Sequence, residues 1–138
     1  MITESMLLYF VPPSFASGKP NSERRKRLML VIKKDDVNKT LTLINISKVS
    51  NKPNCLTYTS NCLIRKYNPP LPLLSFAKLN DNYILEDFSE LDKYVYKQGE
   101  KLNKKEFVNI QTKYREYKSN NNKIELLFIT KEEFLSFN

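Results

Sequence analysis

Cationic side chains crowd the segment from Lys19 to Arg27, directly before the apolar run of residues 28 to 32. Arg27 therefore holds a guanidinium at the start of a predicted buried strand. A guanidinium keeps its charge and can bridge two phosphate oxygens, so this arrangement suits phosphate binding. Nucleic acid is the first partner that it indicates, because Lys and Arg supply most contacts to a phosphate backbone.

The whole chain is basic, with a formal net charge of +8 and a pI of about 9.4 over 138 residues. Such a surface attracts polyanions, although an excess of lysine is also common in A/T-rich genomes and then carries no function. Gly18 and Gly99 are the only glycines, which excludes a Gly-rich phosphate cradle. Phosphate must therefore be bound by side chains.

Histidine is absent from the sequence. This absence excludes Ser-His triads, Cys-His nucleophiles, the paired-His ribonuclease mechanism and His-ligated zinc sites. Cys55 and Cys62 are too few for a zinc site by themselves and are expected to be reduced, because no signal-peptide pattern opens the chain. No stretch approaches the about 18 to 20 apolar residues of a membrane span. We therefore expect a cytoplasmic protein with no metal, cofactor or membrane partner.

Short apolar segments with turn residues between them predict strands over most of the chain. Residues 28–33 and 40–46 are expected to pair as a hairpin, and residues 55–64 are ambiguous between strand and irregular structure. The other predicted strands are 6–11, Ser75–Leu79 and Asn82–Glu86, the last two joined by a turn at Asn80-Asp81. At least five short strands without a long helix between them indicate an antiparallel barrel or curled sheet.

Capping signals place helices toward the C-terminus. Ser89 can begin a helix that Gly99 ends, and Asn103 can cap another with Glu106 at its third position. The second helix carries aromatic and apolar residues at helical spacing, which are expected in the core or at a dimer contact: Phe107, Ile110, Tyr114 and Tyr117.

The last segment is predicted as a strand over residues 124–129 and a short helix that begins after Thr130. Thr130 and Glu133 have the spacing of a capping box. Length alone favours one domain over residues 1–138, because the chain is too short for two independent cores.

The motif order is a strand, a basic loop, a run opened by Arg27-Leu28, and a strand that ends in Ile46-Ser47. This order resembles the MazF/PemK family of toxin endoribonucleases, whose second strand opens with Arg-Pro-x-Leu-Val-Leu and whose third ends in Ile-Thr or Ile-Ser. Arg27 takes the arginine place, and Leu28 replaces the proline. Ser75–Leu79 is similar to a later barrel strand of the family, and Gly99–Leu102 to its turn into the C-terminal helix.

The resemblance implies an α+β fold, namely a small antiparallel SH3-like β-barrel with C-terminal helices, normally as a homodimer. Residues 119–138 would be an extension outside the usual family pattern. The implied activity is cleavage of single-stranded RNA, including mRNA, without metal, in which the 2′-hydroxyl attacks to give a 2′,3′-cyclic phosphate. The implied protein partner is a small acidic antitoxin that covers the basic groove.

Three residues are candidates for the chemistry. Arg27 could stabilise the charge of the phosphorane, and Ser47 could donate to a phosphate oxygen beside it. Glu23, the only acid of the basic loop, could receive the 2′-hydroxyl proton, although the surrounding cations should lower its pKa. The plain alternatives are a surface ion pair, a serine bonded to its own backbone, and a glutamate that neutralises its neighbours.

A second set of residues could hold RNA without taking part in the reaction. Cationic side chains could follow the phosphates, and aromatic rings could stack on unpaired bases, although each ring could equally be packing. The cations are Lys19, Arg24, Arg25, Lys26, Lys48, Arg65 and Lys66, and the rings are Tyr58, Tyr67 and Phe15.

The sequence leaves two other classes of protein open. One is a non-catalytic RNA- or protein-binding barrel of the same ancestry, which the loss of the proline after Arg27 and the absence of histidine permit. The other is an unrelated α+β protein of phage or mobile-element origin whose basicity reflects only its genome.

Overall fold

The computed structural model describes residues 1–50, 54, 57–65, 70–120 and 122–138. It has an α+β fold with a six-stranded, mostly antiparallel sheet and C-terminal helices. The strands are β1 (Leu7–Phe10), β2 (Arg27–Asp35), β3 (Thr40–Lys48), β4 (Asn61–Ile64), β5 (Ser75–Glu86) and β6 (Glu125–Ile129). The helices are α1 (Lys104–Ser119) and α2 (Lys131–Phe137), with two short 3-10 turns at Ser89–Tyr94 and Tyr96–Gly99.

The strands follow one another in the order β1-β2-β3-β5-β4, and β6 pairs with β5 in parallel. The predicted adjacency of the first three strands is confirmed, with antiparallel pairing throughout. The carboxylate of Asp35 accepts the N–H groups of Val37 and Asn38 at the hairpin turn, which fixes its register. The described strands do not close into a barrel, so the sheet has the expected antiparallel character without the expected closure.

Strand β5 corrects one prediction, because it runs unbroken for 12 residues where two strands and a turn were expected. Opposite β3 its register jumps from Ala77 to Asn82, so residues 78–81 bulge out beside Asn45. The segment remains a strand because its other edge stays paired, with β4 as far as Lys78 and with β6 from Asp81. Bulges of this kind redirect side chains.

Both faces of the sheet are buried, which explains the continuous apolar run at the start of β2. Alternate residues enter opposite cores, as Met29 and Leu30 do. One core holds Phe10, Met29, Leu43, Tyr83 and Phe134 with α2, and the other holds Leu30, Ile44, Ala77, Phe107 and Ile110 with α1.

The helix expected from Ser89 to Gly99 does not form. Val95 is extended and makes an antiparallel bridge with Leu8 of β1, so the segment divides into two 3-10 turns. Tertiary pairing therefore overrides the local helical signal. Asn103 does cap α1, because its side-chain oxygen accepts the N–H groups of Lys105 and Glu106.

The residues that follow α1 complete the first core. β6 lies beside β5, and α2 begins with the predicted capping box of Thr130 and Glu133. The ring of Phe134 is fully buried, with its centroid 4.9 Å from that of Phe10. This terminal segment is thus a structural part of the sheet and its core.

Cys62 is a buried free thiol, and Cys55 lies outside the described residues. Within the described ranges, no helix combines the length and the apolar character needed to cross a membrane.

Candidate nucleic-acid interface

A basic groove of about 720 Å³ opens where β2 begins and β3 ends. Among the described residues that line it, none is acidic and five are cationic. The cations are Arg25, Lys26, Arg27, Lys48 and Lys78. Such a cleft concentrates positive potential and attracts a polyanion.

Arg27 is the first residue of β2 and is half-buried. Its guanidinium carbon lies 4.9 Å from the centroid of the Phe15 ring, which orients the guanidinium plane. In the described part of the chain, no carboxylate lies within ion-pair distance of it. The five N–H donors of Arg27 are therefore not occupied by a described acid and can serve a phosphate.

Ser47 and Lys48 reach the same groove from the end of β3. The hairpin register pairs Leu28 with Ile46, so Arg27 and Ser47 are the next residues on their strands. The structure thus brings a guanidinium and a hydroxyl to one wall, as the hairpin was expected to do.

Two tyrosine rings, Tyr9 and Tyr96, form an aromatic part of the groove. Their centroids are 6.0 Å apart in an edge-on arrangement, and the ammonium of Lys26 lies 5.4 Å from the Tyr9 centroid. Tyr9 is 43% exposed while its neighbours in β1 are buried. The apolar run that forms β1 gave no signal that Tyr9 is exposed, and Tyr96 depends on the bridge that places its 3-10 turn beside β1.

A smaller cavity of about 300 Å³ adjoins the basic groove. Arg27, Asn45 and Lys78 line both spaces. We call the smaller one the acidic pocket, because Asp81 and Glu125 complete its wall together with Phe15, Ser17 and Asn80.

The β5 bulge builds this acidic pocket. Asn45, opposite the bulge, is buried and donates from Nδ2 to the backbone oxygen of Leu28 at 3.1 Å. Burial raises the pKa of Asp81, and Glu125 acts in the same direction, against the charge of Lys78 and a hydrogen bond from Tyr83. Asp81 therefore binds its proton more tightly than an ordinary aspartate.

Tyr83 supports Asp81 from inside the core. Its hydroxyl accepts the N–H of Ala16 at 3.2 Å and lies near enough to the Asp81 carboxylate for each group to shift the pKa of the other. Burial, followed by the negative charge of Asp81, raises the pKa of Tyr83, so the phenol stays protonated as a donor. The sequence predicted a turn at Asn80-Asp81 and a strand over Asn82–Glu86, and it gave no sign that Asp81 and Tyr83 would lie beside a pocket.

Glu23 lies apart from both spaces. Its carboxylate is exposed and forms an ion pair with Arg25, and it lines neither the basic groove nor the acidic pocket. Lys19 is exposed on the same loop and is likewise outside the groove lining. Arg24 lies over the ring of Phe137, 4.8 Å from its centroid.

The remaining predicted RNA contacts are divided between surfaces. Tyr58 and Arg65 line a separate cavity of about 1060 Å³ beside α1, together with Lys105 and Lys113. Lys66 and Tyr67 lie outside the described residues. The basic groove thus includes Arg25, Lys26 and Lys48 from the predicted phosphate path, whereas Tyr58 lines the other cavity.

No protein-family model matches the chain, and no curated protein sequence matches it significantly. The MazF/PemK resemblance therefore rests on the motifs themselves. In the described ranges, no group of three or more His, Cys, Asp or Glu side chains could hold a metal ion.

Proposed function

We propose that this protein is a metal-independent endoribonuclease of the MazF/PemK type that cleaves single-stranded RNA in the basic groove. One observation carries the proposal: Arg27 and Ser47 share a groove that has five cations and no described acid. Side chains would bind the phosphate here, because the chain has too few glycines to form a glycine-rich phosphate loop. The aromatic rings of Tyr9 and Tyr96 supply faces for unpaired bases.

The RNA backbone would follow Arg25, Lys26 and Lys48 and bring the scissile phosphate to Arg27 and Ser47. The 2′-oxygen attacks phosphorus, and the bond from phosphorus to the 5′-oxygen breaks. The products are a 2′,3′-cyclic phosphate and a 5′-hydroxyl. Arg27 stabilises the extra charge of the phosphorane, and Ser47 donates to one of its oxygens.

The proposal includes the other features that the resemblance implies. The protein would be the cytoplasmic toxin of a toxin–antitoxin pair and act on mRNA as a homodimer. A small acidic antitoxin would be attracted by the net charge of +8 and would cover the groove. The sheet would derive from an SH3-like barrel, for which the order β1-β2-β3-β5-β4 and the bulge in β5 are the support.

Incubation of the purified protein with mixed single-stranded RNA in EDTA tests the activity. We expect fragments with 5′-hydroxyl and 2′,3′-cyclic phosphate ends. Cleavage that EDTA abolishes, or fragments with 5′-phosphates, would contradict the proposal. Salt-sensitive RNA binding without any cleavage would favour a non-catalytic RNA-binding protein instead.

A further inference from the structure

The acidic pocket has a carboxylate and Arg27 in one wall. Asp81 and Arg27 line the same 300 Å³ space, and Arg27 also lines the basic groove. A cavity of this size lies at the lower limit of small-molecule sites and can admit part of a nucleotide. A phosphate bound to Arg27 would thus have its sugar within reach of Asp81.

We propose that Asp81 is the general base of RNA cleavage and accepts the proton of the attacking 2′-hydroxyl. This inference rests on the proposed endoribonuclease function and assigns the base that the reaction needs. It concerns a residue that the motifs did not identify.

Position favours Asp81 over Glu23. A general base must be within hydrogen-bond reach of the proton that it removes. Glu23 is exposed, is paired with Arg25 and lines neither space, whereas Asp81 shares a wall with Arg27. Burial also raises the pKa of Asp81, which increases its strength as a proton acceptor.

The proton balance of the step is complete with the groups present. The Asp81 carboxylate takes the 2′-hydroxyl proton as the 2′-oxygen bonds to phosphorus. The bond to the 5′-oxygen breaks, and that oxygen takes a proton from water. Asp81 then returns its proton to water, so no oxidant, metal or additional reactant is consumed.

Tyr83 acts as a positioning residue in this assignment. It cannot reach substrate from the core, where it is 1% exposed, but its hydroxyl favours the ionised form of the Asp81 carboxylate and lowers its pKa. The N–H of Ala16 donates to the Tyr83 hydroxyl and fixes its position. This hydrogen bond also ties Tyr83 to the loop that carries Phe15.

The test compares Asp81→Asn with Glu23→Gln and with Asp36→Asn, an exposed carboxylate at the far end of the β2–β3 hairpin. Each variant is assayed for RNA cleavage in EDTA and for binding of the same RNA. We expect Asp81→Asn to lose about 100- to 10,000-fold in kcat, the range of a general base, while RNA affinity is kept. Asp36→Asn should match the parent protein.

The pH profile gives a readout that a structural role would not change. The parent rate should rise with pH and level off above the pKa of Asp81, with a midpoint above the ordinary aspartate value of 3.8. Lys78, Arg27, Glu125 and Tyr83 face this carboxylate and set the midpoint together. Tyr83→Phe should move the midpoint upward, because it removes a hydroxyl that lowers the pKa of Asp81.

Each other outcome overturns the inference. Full activity of Asp81→Asn, or loss of activity in Glu23→Gln alone, would remove Asp81 as the base and leave the endoribonuclease standing. A change in the cleaved sequence without a change in rate would make Asp81 a base-reading residue. If the parent protein cleaves no RNA, the proposed function fails, and this inference fails with it.

Discussion

Arg25 and Arg27 share the basic groove but have different surroundings. Arg25 is exposed and forms an ion pair with Glu23, whereas Arg27 is half-buried against the ring of Phe15. A charge-assisted hydrogen bond to phosphate gains more where water is partly excluded. Among the arginines that line the groove, Arg27 is therefore suited to the transition state and Arg25 to binding.

Replacement of Arg27 with alanine should separate catalysis from binding. Loss of an oxyanion-stabilising donor costs about 100- to 1000-fold in kcat, and RNA affinity should fall far less. Single-turnover cleavage and equilibrium binding measure the two effects. Arg115→Ala, a change of an exposed arginine on α1, is the matched control and should leave both unchanged. If both substitutions change the cleavage rate by the same small factor, Arg27 does not take part in catalysis.

Asp81→Asn should stabilise the fold at neutral pH while it harms activity. The folded-state pKa of Asp81 is raised above its ordinary value, so the folded protein binds this proton more tightly than the unfolded chain does. Its contribution to stability is therefore present at low pH and is lost as the pH rises through the folded pKa. Thermal unfolding should show a higher Tm for the variant at neutral pH, with a difference that disappears in acid. A lower Tm at neutral pH would contradict this prediction.

At the scale of elements, β5 and α2 form the framework of the site. The bulge in β5 directs Lys78 and Asp81 toward Arg27, and pairing with β6 keeps Asp81 in the strand. α2 covers the core on the side of Tyr83, where Phe134 contacts Phe10. The described residues after α1 thus support the site and do not line the basic groove.

Phe134→Ala should test this structural role. The ring is fully buried and its centroid lies 4.9 Å from those of Phe10 and Tyr94. Removal of a buried phenyl ring costs about 3–5 kcal/mol, because it loses apolar burial and leaves a cavity. Leu135→Ala, at a 44% exposed neighbour, should cost far less. Denaturant unfolding measures both, and similar losses would mean that α2 does not pack as described.

At the scale of the whole molecule, the net charge of +8 is distributed unevenly. Five cations and no described acid line one groove, although Glu23 pairs with Arg25 outside it and Asp81 and Glu125 line the adjoining pocket. Binding of a single-stranded polyanion should therefore be localised and strongly dependent on salt.

Lys48→Ala should weaken RNA binding and reduce its salt dependence. Removal of one cation that binds a phosphate lowers the slope of log K against log salt by about 0.7 for a single strand. Titrations at several salt concentrations measure the slope. Lys104→Ala, a change of an exposed lysine at the start of α1, should leave it unchanged. An equal change in both variants would indicate that RNA is attracted by net charge and not by the groove.

The sequence by itself determined the elements whose signals are local. The first three strands formed where short apolar segments and the turn between the last two predicted them, and Asn103 and Thr130 cap their helices, because turns and caps depend on residues a few positions apart. The same hairpin predicted that Arg27 and Ser47 would lie together.

Tertiary structure alone decided the open sheet, the unbroken β5 and the extended Val95. Each depends on partners distant in the chain: β6 holds Asp81 in β5, and Leu8 holds Val95 away from a helix. The acidic pocket follows from these pairings, since it joins residues of β2, β3, β5 and β6. Local sequence sets which residues can turn, cap or alternate, whereas the half-buried Asp81 comes to share a cavity with Arg27 only when distant strands meet.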